Sequence, residues 1–392
     1  TNATMVDSDG LLKWRPHNIL RYSEDLTNAN WVKQVSATVD ANVSAAPDGS
    51  MTASRLTFGG SFSNLRQFGA AVTGVTATTK VWIKLESGNA NLAFGISSSQ
   101  FDVITVTSEW VEYSTTDTEN AASGKGFILQ DRNSSGFGSV LIWQPQSFRS
   151  DLGGMVNNPD AATGFESYVP TTTTPVYLSR RGHHIYNGTA WVNEGILHES
   201  EARTNFQVHS GDFSNSAWSK SASTVDTSYV APDGTSTASK FTSTGAGGAS
   251  GVYDSNPKGT GMSLTCFMKA GSSGVYGWIE GIVGGASSYA VFDLESGTVV
   301  HSRSCDASIE PVGNDWFRCV LANTTFGMNF FSVGGSDNTY SSGPWSSSSL
   351  TTGKFIYAWG AQLEAGSTPS SYIPTAGAAA TRAAETLTVP AA

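Results

Sequence analysis

The feature that most limits the folds open to this chain is an internal duplication. Asn18, Asp25, Asn28 and Trp31 recur as Asn205, Asp212, Asn215 and Trp218, each 187 positions later. Two residues are then dropped, and Ala46-Pro47-Asp48-Gly49 recurs as Ala231-Pro232-Asp233-Gly234, followed by Thr52-Ala53-Ser54 as Thr237-Ala238-Ser239. Fainter echoes keep the same order. Trp82-Ile83-Lys84 parallels Phe267-Met268-Lys269, Glu109-Trp110 parallels Asp315-Trp316, and Trp143 and Gln146 parallel Trp359 and Gln362. Ser167-Tyr168-Val169-Pro170-Thr171 closes one copy as Ser371-Tyr372-Ile373-Pro374-Thr375 closes the other. Whatever one copy folds into, the other must accommodate as well. Copies of ~160–170 residues are domains, not the short units of a solenoid. The chain is therefore divided into an N-terminal segment 1–17, a first domain 18–178, a connector 179–204, a second domain 205–376 and a tail 377–392.

Within each copy the apolar residues fall in short alternating runs. Lys80–Glu86, Phe101–Thr107, Leu264–Lys269, Trp316–Leu321 and Lys354–Trp359 are β-branched or aromatic and mostly bounded by Gly, Ser, Asn or Asp. That pattern predicts many short strands, and no long segment shows a 3.6-residue period. One helical turn is expected near Asn28–Trp31 and Asn215–Trp218. The Ala-Pro-Asp-Gly repeats are turns, with Pro presetting φ and Gly accepting a positive one. Tyr186-Asn187-Gly188-Thr189 predicts a two-residue hairpin in the connector. The second copy carries an added hairpin pattern over Tyr289–Val300, the first a longer excursion over Asp151–Gly164. Thr386–Val389 is expected to add an edge strand. The fold class is thus all-β: two tandem antiparallel β-sandwiches joined by a hairpin connector.

With 22 Lys and Arg against 32 Asp and Glu, the net charge is −10. A basic footprint for nucleic acid is missing, as is a polybasic stripe for anionic membranes. No apolar stretch reaches the ~18 residues of a membrane helix. The start has neither the charged nor the apolar region of a signal peptide. It also lacks an initiator Met, so the numbered chain is read as beginning after trimming. Cys266, Cys305 and Cys319 are odd in number and make no metal-type spacing, which predicts buried free thiols. Walker A loops, dinucleotide fingerprints, zinc-protease motifs and nucleophile elbows are all missing.

Several motifs together resemble a known protein class. Glu201-Ala202-Arg203-Thr204-Asn205 with Gly211-Asp212-Phe213 and Trp218, the earlier Asp7-Ser8-Asp9-Gly10-Leu11-Leu12, Gly182-His183-His184-Ile185-Tyr186-Asn187-Gly188, and the closing Trp359-Gly360-Ala361-Gln362 look like modules of tailed-bacteriophage tail fibre and virion structural proteins. Each copy also resembles carbohydrate-binding modules of the jelly-roll type. The resemblance implies an exterior position on a phage particle, in tail or head, with residues 1–17 attaching to it. It also implies a host-surface glycan and other virion proteins as partners, a homotrimeric fibre, and adhesion without catalysis. Two alternatives stay open: a purely structural virion protein with no sugar site, and a polysaccharide depolymerase. In such modules the last strand often carries acids for a structural calcium. Here Tyr357–Leu363 has no acid before Glu364, so no cofactor is expected and calcium remains an alternative only.

Candidate chemistry follows from position in the repeat. Asp25, Asp212, Asp48 and Asp233 lie in polar turns, where a carboxylate caps local backbone. The adjacent His183 and His184 point to opposite faces if on a strand, which disfavours a shared metal. The matched tryptophans Trp31/Trp218, Trp110/Trp316 and Trp143/Trp359, with Trp82, are assigned to the core. Sugar-stacking aromatics are sought among unmatched residues, where specificity diverges: Tyr253, Tyr276, Trp278, Tyr289, Tyr340 and Trp345 in the second copy, with Phe62 and Phe68 in the first.

Overall fold

The computed structural model describes residues 2–69, 75–88, 90–118, 126–132, 138–245, 248–284, 286–339, 344 and 349–386, apart from the side chains at 256 and 257. It divides into two compact units, Trp14–Ser179 and Thr1–Lys13 with Arg180–Ala392. Each holds one copy of the repeat. Of the segment 1–17, expected to serve for attachment, residues 1–13 belong to the unit of the second copy and residues 14–17 to that of the first.

Each copy is a two-sheet antiparallel sandwich. In the first, a front sheet runs Phe101–Thr105, Asn91–Gly95, Gly126–Asp131, Asn64–Phe68 and Val32–Gln34. A back sheet runs Val111–Thr118, Thr76–Ser87, Ser139–Arg149, Ala53–Thr57 and Thr38–Ser44. The chain crosses repeatedly between the sheets, which is the jelly-roll plan. The second copy repeats this plan with six strands in each sheet. Its front sheet is Ser219–Ser221, Ser250–Lys258, Met328–Ser336, Tyr276–Val283, Ala286–Asp293 and Thr298–Arg303. The sixth strands, Thr298–Arg303 in front and Asp306–Val312 behind, have no counterpart among the described residues of the first copy. The inserted element is therefore this pair. Ala286–Asp293, the first arm of the expected extra hairpin, pairs with Tyr276–Val283 as Phe101–Thr105 pairs with Asn91–Gly95.

Alternation explains both cores. Leu65, Phe94, Phe127 and Leu129 from the front sheet meet Leu56, Val81, Ile83 and Ile142 from the back in the first copy. Val252, Ile279, Phe292, Phe331 and Val333 meet Phe241, Leu264, Cys266, Leu321 and Ile356 in the second. Trp31 and Trp218 are wholly buried there, each donating its indole N–H to the carbonyl nine residues earlier, Tyr22 and His209. The expected helical turns are successive tight turns, held by bonds such as Asn28 N to Asp25 O and Trp31 N to Asn28 O.

The matched asparagines close each sandwich. Asn205 donates to Ala361 O and Ile373 O, and its own oxygen accepts from the amides of Leu363 and Gln207. Asn18 holds the equivalent groups, Val169 O, Leu20 N and Ser147 N. The matched Tyr168 and Tyr372 bond the matched Ser23 and Ser210 at 2.8 and 2.7 Å. These identities recur because each satisfies several buried backbone groups that an apolar residue would orphan.

The connector forms strands Arg180–Tyr186 and Trp191–Leu197. Tyr186 pairs with Trp191, so the loop is the four residues Asn187–Ala190 rather than the two expected. Only Gly188 there has positive φ, and the Asn187 side chain accepts from Thr189 and Ala190 instead. The tail supplies its edge strand at Ala380–Arg382, paired with Arg203–Asn205. The expected strand 386–389 lies, beyond Thr386, outside the described residues.

Cys266 and Cys319 are buried opposite one another and Cys305 is half-buried. Burial pushes all three thiols up, Cys305 least, to about 11. Since the thiolate is the reactive form, iodoacetamide at mildly alkaline pH should label Cys305 first and slowly. Cys266 and Cys319 should stay unmodified until the chain unfolds. Peptide mass spectrometry reads this directly, and equal labelling of all three in the native protein would contradict it.

Candidate functional site

The front sheet of the second copy has two faces. One buries Val252, Ile279, Ala290, Phe292, Phe331 and Val333 in the core. The alternate residues point away from the core, and the strand register lines five of them up across the sheet. Tyr253 pairs with Ser332, Ser332 with Glu280, Glu280 with Tyr289, and Tyr289 with Arg303. Paired residues in antiparallel strands share a face and lie side by side. The result is a transverse row of a phenol, a hydroxyl, a carboxylate, a second phenol and a guanidinium. The inserted strand Thr298–Arg303 contributes the last of these.

On one side of the row lies an apolar floor. Trp278, Tyr289, Val291 and Ala249 form a small cluster of their own, with Tyr276 packed against it. The Trp278 indole can lie across the sheet because position 334 is glycine, where a Cβ would come within 2.4 Å of its ring. Its N–H donates to Gly335 O at 3.1 Å. On the other side the face is open. Phe330 is 37% exposed and meets the half-buried Tyr253 edge-on, ring centroids 5.7 Å apart. Ser255 and Arg303 are exposed, and Ser287 is half-buried.

Glu280 is the unusual residue. It is 2% exposed yet sits on the face away from the core, and a carboxylate is seldom buried without a purpose. Ser332 Oγ donates to the Glu280 carbonyl at 3.0 Å. Tyr289 shares a hydrogen bond of 3.0 Å with His301 Nε2. Burial raises the Tyr289 phenol above its ordinary range, and the Glu280 charge adds to that while Arg303 opposes it. The phenol therefore remains protonated at neutral pH and able to donate a hydrogen bond.

The sequence candidates divide on this face. Tyr253 lies in the row with its ring half open. Tyr276 is half-buried beside the tryptophan. Trp278 and Tyr289, expected as exposed stacking rings, are both fully buried and form the floor instead. Packing against each other, rather than on a ligand, is where their apolar area goes. Tyr340 and Trp345 lie outside the described residues. Glu280, Ser332, Arg303 and Phe330 went unnoticed in the sequence. An acid inside the otherwise apolar run Tyr276–Val283 was the available signal.

The first copy carries the corresponding row with different chemistry: Val32, Arg66, Ile128, Gly95 and Phe101. Arg132 lies over the Phe101 ring at 4.4 Å and also over Phe62, which is half exposed. Phe68 lies under Arg66. No carboxylate is present in that row.

The remaining candidates have local roles. Asp25, Asp48, Asp212 and Asp233 each accept from a Ser or Thr two residues on, as turn caps. His183 Nδ1 accepts from the Val6 amide, and His184 Nδ1 meets Gly182 O. Among the described residues no three His, Cys, Asp or Glu converge as metal ligands. The Glu364 carboxylate, nearest to where the resemblance implies calcium, accepts from Ser370 N, Ser370 Oγ and Gln362 Nε2.

No protein-family model matches the chain, and no curated protein is similar to it. The solved structures loosely similar to the chain include the following three. The N-terminal CBM22-1-CBM22-2 tandem domain from Paenibacillus barcinonensis Xyn10C is 13% identical with a TM-score of 0.31, covering 91% of this chain and 99% of that one. The CBM22-1 xylan-binding domain of the same protein is 14% identical with a TM-score of 0.27, covering 35% of this chain and 96% of its own. The enzymatically active domain of bacteriophage CBA120 tailspike protein 4 is 14% identical with a TM-score of 0.25, and the match covers 34% of this chain and 21% of that one.

Proposed function

We propose that the chain is a non-catalytic glycan-binding protein of a tailed-phage virion appendage, and that the outward front face of its second sandwich is the binding surface. The row Tyr253–Ser332–Glu280–Tyr289–Arg303 is the observation that carries this reading. Stacking rings beside a few fixed polar groups are what a sugar chain requires. The Tyr253–Phe330 pair offers apolar ring surface and the exposed Arg303 guanidinium donates, while the buried Glu280, Ser332 and Tyr289 form the polar ground on which these groups are set. Hydrolysis calls for two carboxyl groups facing one another across the bond, and the row contains Glu280 alone. A homotrimer on the particle exterior would present three such faces and gain by effective concentration.

The test is a glycan array probed with the full chain, followed by calorimetric titration of the best ligand. Tyr253→Ala should weaken binding about tenfold, the worth of one well-placed stacking ring. Glu280→Gln, which keeps the shape and removes the charge, should weaken it further. Arg66→Ala, in the first copy's row, should change nothing. A well-folded chain that binds no glycan would favour the purely structural virion role instead.

A further inference from the structure

The two copies place different residues at one shared backbone position in a way the fold does not demand. Both long back strands, Ser139–Arg149 and Phe355–Ala365, break register just after their tryptophan. The residue at that break has a left-handed backbone in each: Gly360 at φ 65° and Gln144 at φ 51°. Glycine adopts this conformation freely, whereas a residue with a Cβ is strained by it. The second copy uses the unstrained choice and fills the space above it. A Cβ at Gly360 would come within 2.9 Å of the Phe267 ring and 3.3 Å of the Tyr372 ring.

In the first copy the same place is open. Gln144 lines a cleft of about 460 Å³, together with Trp143, Tyr168, Glu24, Asp48 and Ser50. Two of these polar side chains, Gln144 and Glu24, stand where the second copy has glycine, Gly360 and Gly211. The cleft is held in shape from behind. Trp143 Nε1 donates to Thr52 Oγ1 at 3.0 Å, and the Tyr168 hydroxyl is fixed on Ser23. The Asp48 carboxylate is oriented by the amide and hydroxyl of Ser50. The Gln144 amide, by contrast, makes no hydrogen bond to any described residue.

We propose that this cleft is a second ligand site, sized for one uncharged sugar unit, with Gln144 as its specificity-determining residue. The volume falls within the range of small-molecule pockets. A side-chain amide offers a donor and an acceptor together, which matches neighbouring hydroxyls. Glu24 and Asp48 accept hydroxyl hydrogens and repel a sugar that bears its own carboxylate. The site lies in the other copy from the glycan face proposed above and on its back sheet, so either can fail without the other.

Tryptophan fluorescence of the full chain, titrated with D-glucose, D-galactose, N-acetyl-D-glucosamine and D-glucuronate, tests the proposal. At least one neutral sugar should give a saturable change, and D-glucuronate should bind more weakly than that sugar. Gln144→Gly should weaken the response about tenfold while leaving the melting temperature as high as the parent's or higher. Tyr253→Ala should leave the response intact. Four outcomes would each overturn the assignment: no saturation with any neutral sugar, a Gln144→Gly variant that binds like the parent, a response abolished by Tyr253→Ala, or tighter binding of D-glucuronate than of any neutral sugar.

Discussion

Arg180→Met should destabilise the unit that contains the second sandwich by about 3–5 kcal/mol at neutral pH, the cost of breaking a buried ion pair on one side. The Arg180 side chain is wholly buried, and its guanidinium meets Glu199 at 2.6 Å and Glu385 at 2.7 Å. It also donates to Thr4 O and to Ser371 Oγ. One side chain thus ties the N-terminal strand, the connector, the closing loop and the tail together. Methionine fills the volume but leaves both carboxylates without this cation, and Arg382, 3.1 Å from Glu199, compensates in part. Burial raises the Glu199 carboxyl, but Arg180 and the two Ser371 hydrogen bonds outweigh it and hold the group below its ordinary 4.5. A carboxyl depressed in the folded state stabilises above its unfolded pKa, and that contribution is lost as pH falls through the folded value. The deficit of the variant should therefore be full at pH 7 and shrink under acid, as protonation removes the uncompensated charges. Urea unfolding of parent and variant at both pH values measures it. A pH-independent deficit would mean that lost packing, not charge, is responsible.

The fold was legible because it is written twice. Residues that match across the copies, such as Asn18/Asn205 and Ser23/Ser210, are those whose side chains hold buried backbone groups, so chance cannot maintain them in register. The alternating runs gave the strands because one face of each is buried and the other is not. Register was less legible. The connector loop opened to four residues because Asn187 uses its side chain as an acceptor, a geometry that the Asn-Gly pair alone does not distinguish from a tight turn. The site was half legible. Looking for unmatched aromatics led to the front sheet of the second copy, on which the proposed face lies. It could not separate Tyr253, with its ring half open, from Trp278 and Tyr289, whose strand neighbours bury them. That separation depends on the cross-strand pairing, as does the meeting of Glu280 with Tyr289 and Arg303 from the next two strands. Gln144 was invisible for another reason. Its interest lies in a backbone dihedral that both copies share, and only the paired glycine in the other copy shows the side chain there to be a choice.

Replacing Asn205 separates what the duplicated asparagine does by hydrogen bonding from what it does by filling space. The side chain is fully buried and uses its whole capacity, two donors and two acceptor sites, on four backbone groups. Asn205→Leu keeps approximately the volume and orphans all four. At roughly 1–3 kcal/mol for each buried group left unpaired, with some relaxation, the expected loss is about 4 kcal/mol or more. Asn205→Asp is the sharper variant. Its carboxylate can still accept from Leu363 and Gln207, but it turns an oxygen toward the carbonyls of Ala361 and Ile373, where a donor is needed. Protonation restores one donor, so this group should titrate in the folded state well above an unfolded aspartate. For such a raised acid the penalty is full above the folded pKa and relaxes as pH falls through it. The aspartate variant should accordingly approach the parent's stability on acidification, whereas the leucine variant should lag it by a similar margin at every pH. Thermal melts across a pH series distinguish the two. If both variants tracked the parent within about 1 kcal/mol at neutral pH, the buried backbone groups would have found other partners, and the repeated asparagine would be a spacer rather than the clasp of each sandwich.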